Sequence, residues 1–270
     1  MPVEVSQLNY YPVKSCAGIR LTTAQIGTRG IEYDREWAIV DAHSHMVLTQ
    51  RQIATLCLIK PSIQNSGAAV SLLLSGEGMP GTEIPVVDGE EVETRFPWGP
   101  VSRGQDQGDT AANWLSSYLK RDCRLLHFSP HFVRQVDQEF AKRTTDQTGY
   151  ADDFAFLLIS EGSLQELNSH LVEPLPMNRF RPNIVVRGAT SYAEDEWKMV
   201  RIGNVVFDVV HPCGRCVITT VNQDNASKGV EPLHTLAKIR NVNNSLLFGM
   251  HLAHHAKGSI ALNDEVEVLE

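Results

Sequence analysis

The chain has 270 residues, 42% of them hydrophobic, and a formal net charge of -8. This length suffices for one large hydrophobic core or two smaller ones. The acidic balance argues against a nucleic-acid surface, which needs clustered Lys and Arg, but leaves room for a local basic pocket. The N-terminal stretch MPVEVSQLNYYPVKS matches neither a signal peptide nor a membrane span, and five cysteines are too few for a disulfide scaffold. We therefore expect a cytoplasmic protein with no membrane and no nucleic-acid partner.

Strand patterns dominate the first third of the chain. The runs VEVSQLNYYPV, REWAIVDAHSHMVLTQ and GAAVSLLLS are β-branched or alternate apolar with polar residues, and Gly, Pro or Asn residues bound them. The Gly- and Pro-rich piece from Gly76 to Pro100 is interpreted as turns and connections. This part of the chain is expected to form a β-rich unit.

Two helices are predicted in the middle, before the strand pattern resumes. In GDTAANWLSSYLK the apolar residues recur at helical spacing, and Asp109 is placed to cap the helix. In SEGSLQELNSHL, Ser163 and Glu166 match a capping box. The later strand patterns are FRPNIVVRG, MVRIGNVVFDVV, CVITTVN and GSIALNDEVEVLE. This order predicts a mainly β fold (α+β) with peripheral helices, in which the later strands form a β-barrel.

The stretch HPCGRCVITT places Cys213 and Cys216 three positions apart. A closed structural zinc site needs four ligands, and beyond His211 no fourth ligand is evident. A thioredoxin-like dithiol needs a helix directly after the pair, whereas the next residues are predicted to continue as a strand. The spacing therefore disfavours both of these sites, and it favours either a buried thiol pair without chemistry or a thiolate that binds a metal heavier than zinc.

Cationic side chains occur at the ends of several apolar strands. Each of them alone is typical of a solvated strand terminus. Together with the thiol pair and neighbouring hydroxyl and amide groups, they offer ligands for a phosphate, a heterocycle and a soft metal ion. The hypothesis is a site for a phosphorylated metal cofactor, formed by Lys14, Ser15, Arg35, Arg51, Arg181 and Asn183.

Several motifs occur in an order that resembles a known family. They are YPVKSCAG, DREW, GDTAANWLSSYL, FRPN, YAEDEW, PCGRCVITTV, EPLHTLAKIR and LFG, and they extend over nearly the whole chain. The sequence resembles the MOSC superfamily (molybdenum cofactor sulfurase C-terminal domain), and within it the mitochondrial amidoxime reducing component and its bacterial counterparts. The resemblance implies an N-terminal β-rich domain over residues 1–123 and a MOSC β-barrel domain over residues 124–270, with strands shared across the boundary.

The resemblance also implies a cofactor and residue roles. A molybdenum cofactor (Mo-molybdopterin) would lie between the domains, and Cys216 would be the catalytic thiolate that binds molybdenum, while Cys213 would not coordinate. Arg215 would favour the deprotonated form of Cys216. The implied cofactor-binding residues are Lys14, Ser15, Arg35, Arg51, Ser160, Arg181, Asn183, Arg215, Phe248 and His251. Ser15 and Asn183 are equally explained as turn residues and Phe248 as a core residue. His251 stands where relatives often carry an aromatic residue, which indicates a changed substrate pocket.

The activity implied by the resemblance is the reduction of N-hydroxylated compounds (amidoximes, hydroxylamines, N-hydroxylated bases) by oxygen transfer to molybdenum. No built-in iron–sulfur cluster is expected, so electrons would come from a separate ferredoxin- or flavin-type reductase. The alternative is a molybdenum cofactor carrier or sulfur-transfer module that uses Cys216. A zinc-stabilised binding domain is the third hypothesis.

Overall fold

The computed structural model describes residues 2–67 and 69–270, and these contain nineteen β-strands and three α-helices. The first strands are β1 (Glu4–Tyr10), β2 (Ile19–Leu21), β3 (Thr23–Gly27), β4 (Gly30–Ile31), β5 (Trp37–Asp41), β6 (Lys60–Ser66), β7 (Ala69–Gly76), β8 (Met79–Pro85), β9 (Glu91–Arg95) and β10 (Val101–Asp106). The later strands are β11 (Cys123–Phe128), β12 (Phe156–Ser160), β13 (Ile184–Arg187), β14 (Met199–Ile202), β15 (Val205–Gly214), β16 (Asn241–Val242), β17 (Ser245–His254), β18 (Gly258–Ala261) and β19 (Val266–Val268). The helices are α1 (Gly108–Leu119), α2 (Glu161–Ser169) and α3 (Leu233–Ile239). The prediction of a mainly β fold with peripheral helices is confirmed.

The largest sheet joins the N-terminal strands to those of the C-terminal half. Its order is β19-β14-β15-β17-β12-β13-β1-β2, with β16 attached to β17. Among the described residues of this sheet, β12 and β13 run parallel, and the other neighbouring pairs are antiparallel. In the described residues, the two end strands of this order, β19 and β2, do not pair with each other. The predicted barrel is therefore not closed by continuous strand pairing. A single bridge between Glu4 and Glu265 links β1 to the segment before β19.

Three smaller sheets complete the fold. Their orders are β5-β11-β10-β9, β18-β3-β4 and β6-β7-β8. Because β18 pairs with β3, the C-terminal half contributes a strand to a sheet of the N-terminal half. The predicted boundary at residues 123 and 124 coincides with the start of β11, which pairs with β5 and β10.

Two main cores lie on these sheets. One core is formed by the large sheet and includes Phe156 and Phe207, whose rings contact edge-to-face. The other core surrounds Trp37 and includes Trp114 and Leu115, which α1 buries against the smaller sheets. Among the described residues, no helix combines the length and the apolar character needed to cross a bilayer.

The two predicted helices are present, but their capping residues differ from the prediction. Gln107 occupies the N-cap of α1, and Asp109 lies in the first turn, where its carboxylate accepts from Arg124 at 2.7 Å. The N-cap of α2 is Ser160, whose hydroxyl accepts a hydrogen bond from the backbone N–H of Ser163 at 3.0 Å. The proposed capping box was therefore wrong by one turn, because Ser160 itself supplies the capping oxygen.

Two local predictions were wrong. The piece from Gly76 to Pro100 contains strands β8 and β9 as well as turns. Residues 217–220 form a short 3-10 helix rather than a strand. The hydroxyls of Thr219 and Thr220 donate to backbone carbonyls three residues earlier, at 2.9 and 2.8 Å. Such local bonds compete with a strand ladder and explain why this β-branched segment turns.

Candidate functional site

A cleft of about 390 Å³ is lined by most of the predicted site residues. Those that line it are Lys14, Ser15, Arg35, Arg51, Arg181, Asn183, Arg215, Cys216 and His251. They come from loops after β1, on both sides of β5 and before β13, and from β15, its following turn and β17. Segments far apart in sequence thus meet at one concave surface, which is the usual form of a small-molecule site.

Ser160 and Phe248 were also predicted to bind the cofactor, but they do not line this cleft. The Ser160 hydroxyl caps α2 and contacts the Ser163 hydroxyl at 2.8 Å. The Phe248 ring is fully buried behind Phe180, with the ring centroids 4.4 Å apart. Both positions are next to cleft-forming elements, and their side chains serve the packing of those elements.

Three residues of the cleft have a left-handed backbone conformation. The φ angles are 67° at Ser15, 51° at Arg35 and 56° at Arg181. Residues other than Gly adopt this region at an energetic cost, and such residues cluster at ligand-binding sites when the surrounding structure holds them there. The conformation directs these three positions toward one site, although each belongs to a different loop.

One wall of the cleft, which we call the cationic wall, is formed by Lys14, Arg35, Arg51 and Arg181. The Lys14 side chain of this wall is buried. Its ammonium group donates to the Tyr150 carbonyl at 2.7 Å and pairs with the Asp152 carboxylate. Burial lowers the pKa of Lys14 to about 8, although the Asp152 carboxylate opposes the change. A second anion in the cleft would stabilise the charged form of this lysine.

The Arg35 and Arg181 guanidinium groups both pack on the Tyr11 ring, at 4.3 and 4.2 Å from its centroid. Arg35 pairs with Asp34 and donates to the Asn183 side-chain oxygen at 2.9 Å. Arg181 contacts the Gln223 side-chain oxygen at 3.4 Å. Within the described ranges, Arg181 has no carboxylate within 4.0 Å, and burial lowers its pKa. Since a desolvated cation without a counter-charge is costly, this side of the cleft favours an anionic ligand.

The second wall, which we call the thiol wall, carries Cys213, Cys216 and His251. Cys216 is half-buried, and its Sγ lies 3.5 Å from the Arg51 guanidinium. Cys213 is buried, and the Arg215 guanidinium donates to its Sγ at 2.8 Å. Arg215 was predicted to act on Cys216, and the structure instead pairs it with Cys213. The Arg215 side chain turns back past Cys213 and also donates to the carbonyl of Phe180, in the segment before β13, at 2.6 Å.

The thiol of Cys213 has a lowered pKa. Burial alone would raise its pKa, but the Arg215 guanidinium and the His251 imidazole outweigh burial and lower the pKa to about 6. Burial in turn would lower the pKa of His251, and the Cys213 thiolate and the Asp153 carboxylate outweigh it and raise the pKa. The charged groups of Arg215, His251 and Asp153 thus act on one another and on the buried Cys213 thiol, whereas Cys216 is the more accessible thiol.

Sequence reasoning missed several cleft residues, among them Trp98, Asp152 and Asp153. The Trp98 ring covers the Arg51 guanidinium at 4.2 Å, and Asp152 pairs with both Lys14 and Arg51. The two aspartates lie shortly before β12, a strand whose five residues are all buried. Carboxylates in the loop that leads into a fully buried strand were the signal that would have pointed to them.

Comparisons with known proteins agree with this arrangement. The family described as "MOSC N-terminal beta barrel domain" matches residues 2–122, and the family described as "MOSC domain" matches residues 145–267. The chain belongs to the MOSC family. This confirms the resemblance inferred from the motifs.

Relatives within this family include two groups of named proteins. The chain is 37% identical to mitochondrial amidoxime-reducing component 1 of Mus musculus and 34% identical to that of Homo sapiens, in both cases over 98% of this chain and 82% of the relative. It is 32% identical to the molybdenum cofactor sulfurase of Danio rerio, over 93% of this chain but only 32% of that protein. The similarity to the first group thus extends over most of both chains.

Proposed function

We propose that the chain is a molybdenum-cofactor-dependent oxidoreductase that reduces N-hydroxylated compounds, with the cofactor in the cleft and Cys216 as its protein ligand. The observation that carries this proposal is that the accessible Cys216 thiol lines the same cleft as the Arg181 guanidinium, which has no carboxylate within 4.0 Å in the described residues. The relatives named amidoxime-reducing components support the substrate class, because the similarity covers 98% of this chain.

The residues present fit a phosphorylated pterin. Arg181 has no carboxylate partner in the described residues, and the buried Nε of Arg215 has no hydrogen-bond partner there. A phosphate would accept two parallel hydrogen bonds from such a guanidinium group. Its negative charge would also stabilise the buried positive charge of the arginine. The Asn183 amide and the Ser15 hydroxyl line the same cleft and offer the neutral groups that an amide-rich heterocycle needs.

The two thiols differ in their availability to a metal ion. The Cys213 sulfur is buried and already accepts a hydrogen bond from Arg215, whereas the Cys216 sulfur is half-buried at the cleft. A thiolate is a soft, strongly donating ligand, so Cys216 suits molybdenum held by a pterin. When bound, the cofactor supplies a two-electron redox centre that accepts the oxygen of an N–OH group. The chain binds and orients the cofactor and the substrate.

Breaking one N–O bond to give an N–H group and water consumes two electrons and two protons. The electrons are proposed to come from a separate ferredoxin- or flavin-type reductase, and the substrate is a small N-hydroxylated molecule. A cytoplasmic location stays a prediction.

The test is metal analysis combined with turnover. Full-length protein from a molybdate-supplemented host is assayed for molybdenum, for pterin fluorescence and for reduction of an amidoxime with a chemical reductant. We expect both components of the cofactor and measurable turnover. Cys216→Ala should abolish turnover, and its matched control Cys213→Ala should retain it. Equal turnover of the Cys216→Ala variant would contradict the assigned role.

A second candidate function is a carrier or sulfur-transfer module, and the similarity to molybdenum cofactor sulfurase favours it. In that case Cys216 would bear a persulfide or hold the cofactor for delivery. The same experiment separates the two functions, because a protein that contains molybdenum and pterin but reduces no amidoxime supports the carrier.

A further inference from the structure

Two histidines and one aspartate meet at the end of the cleft. His211 on β15 and His251 on β17 are directly opposite each other in the antiparallel pair. Asp153 lies just before β12, which pairs with β17 on its other side. The Asp153 Oδ2 atom is 3.0 Å from the His211 Nε2 and 3.6 Å from the His251 Nε2. Two paired strands and the segment before a third thus bring three side chains of metal-binding type together.

The protonation of His211 leaves its Nε2 free to act as a ligand. Its Nδ1 lies 2.9 Å from the Pro212 carbonyl oxygen, which can only accept, so Nδ1 carries the hydrogen. In the neutral ring Nε2 then presents a lone pair. This buried nitrogen has no hydrogen bond of acceptable direction in the described residues, although Asp153 is near. A lone pair next to a carboxylate oxygen is repulsive unless a proton or a metal ion lies between them.

The spacing of the three ligand atoms fits a small divalent ion. Tetrahedral zinc with bonds of about 2.0–2.2 Å separates its ligand atoms by about 3.4 Å. The distances of 3.0 and 3.6 Å lie on either side of that value, and all three ligand atoms are within 4.8 Å of one another. The hydrogen bond from His211 to a backbone carbonyl is the kind of contact that orients a metal-binding imidazole.

The Asp153 carboxylate makes its ion-pair contacts with the two histidines. In the part of the chain that the structure describes, the basic groups within 4.0 Å of its carboxylate are the two imidazoles alone. The nearby Arg134 guanidinium is occupied by the carbonyls of residues 149, 151 and 152. The rings of Phe140 and Phe154 pack on His211, with centroids 4.5 and 5.4 Å away, and fix its orientation.

We propose that Asp153, His211 and His251 bind one divalent transition-metal ion such as Zn²⁺, with water completing its coordination. The set of two nitrogens and one carboxylate differs in chemistry from the thiolate assigned to molybdenum, so the chain has two distinct metal positions. The inference goes beyond the proposed function and is argued independently of it, although Asp153 and His251 also line the cleft and His251 is one of the implied cofactor-binding residues.

The test uses Co²⁺ and Zn²⁺ as probes on the full chain after chelator treatment. Isothermal titration should show one equivalent of Zn²⁺ bound. Co²⁺ should give the visible absorption of a tetrahedral nitrogen and oxygen site, without the near-ultraviolet band of a thiolate ligand. His211→Ala and Asp153→Asn should each lose this binding, while the exposed His170→Ala should keep it. Circular dichroism confirms that each variant is folded.

Three outcomes would overturn the proposal. The first is an unmodified chain that binds less than one equivalent of either ion. The second is a cobalt spectrum with a thiolate band, since that would place the ion on Cys213 or Cys216. The third is unchanged binding by folded His211→Ala. The first two outcomes concern the unmodified chain and do not depend on how well the variants fold.

Discussion

The cationic wall and the thiol wall of the cleft are built from different kinds of structure. Lys14, Arg35 and Arg181 lie on loops, and two of the three, Arg35 and Arg181, have left-handed φ angles. Cys213 and His251 instead lie on the paired strands β15 and β17, and Cys216 follows the end of β15. Side chains on paired strands are positioned more exactly than side chains on loops.

This difference matches what each wall has to bind. A phosphate is recognised mainly by charge and by forked hydrogen bonds, which long Arg and Lys side chains can make from loops. A metal ion needs ligand atoms at defined distances, which paired strands and the short turn that follows β15 supply. The comparison therefore predicts that changes in the cationic wall weaken retention of the cofactor. In the thiol wall, loss of Cys216 should abolish turnover, while changes at Cys213 should alter the pH dependence of stability.

The largest effect on retention is expected from Arg181→Gln. The substitution removes a guanidinium that has no carboxylate partner in the described residues and keeps a polar side chain. A hydrogen bond to a charged group contributes about 1.5–3 kcal/mol, which corresponds to about 10- to 100-fold weaker retention. Retention is measured as the molybdenum and pterin content per chain after gel filtration. The control is Arg187→Gln, since Arg187 is exposed and paired with Glu4. Equal losses of cofactor in both variants would show that Arg181 does not bind the cofactor.

The thiol wall is tested by the pH dependence of stability. The folded pKa of Cys213 is about 6, below the ordinary value of 9.0. The unfolded thiol therefore holds its proton between these values while the folded one does not, so this group adds stability as pH rises from about 6 to about 9. The stability difference between the unmodified chain and Cys213→Ser should grow by on the order of 2 kcal/mol over that range.

Thermal or urea unfolding at several pH values measures this growth. Cys123→Ser is the matched control, because burial raises the pKa of Cys123 and leaves it a neutral thiol below pH 9.0. A difference for Cys213→Ser that does not change with pH would show that Cys213 is not a thiolate in the folded chain.

A smaller effect is expected from the protonation of Lys14. Its pKa is about 8 in the folded chain, and binding of an anion beside it would raise that value. Retention of the cofactor should therefore be strongest below pH 8 and should fall about threefold to tenfold as pH rises from about 7 to about 9. Dialysis at each pH followed by pterin fluorescence measures it. Lys14→Met should show weaker retention with no such fall, and a similar fall in that variant would assign the dependence to another group.

The general fold could be predicted from the sequence, because alternation and β-branched residues report strands directly. The exception at residues 217–220 arose because the Thr219 and Thr220 hydroxyls bond to nearby carbonyls, which a strand pattern does not reveal. The cationic residues were found because each stands in a motif or at the end of an apolar run.

The other contacts of the site depend on which residues of paired strands lie opposite each other. His211 and His251 are forty positions apart, and only the antiparallel pairing of β15 with β17 places them opposite each other. The pairing of Arg215 with Cys213 likewise depends on how the chain leaves β15, since Arg215 is adjacent in sequence to Cys216. Contacts of this kind follow from tertiary structure and have no signal in spacing alone.

The smallest effect is expected for Ser160→Ala, which tests a residue near the cleft but outside both walls. The Ser160 hydroxyl accepts from the Ser163 backbone N–H and contacts the Ser163 hydroxyl. Loss of an N-cap of this type costs about 0.5–2 kcal/mol of stability. Cofactor content should be unchanged, because this side chain is fully buried at the start of α2 and does not line the cleft. Unfolding and pterin fluorescence measure both quantities. Lost cofactor in a variant of near-normal stability would restore Ser160 to the binding site and would extend the cleft toward α2.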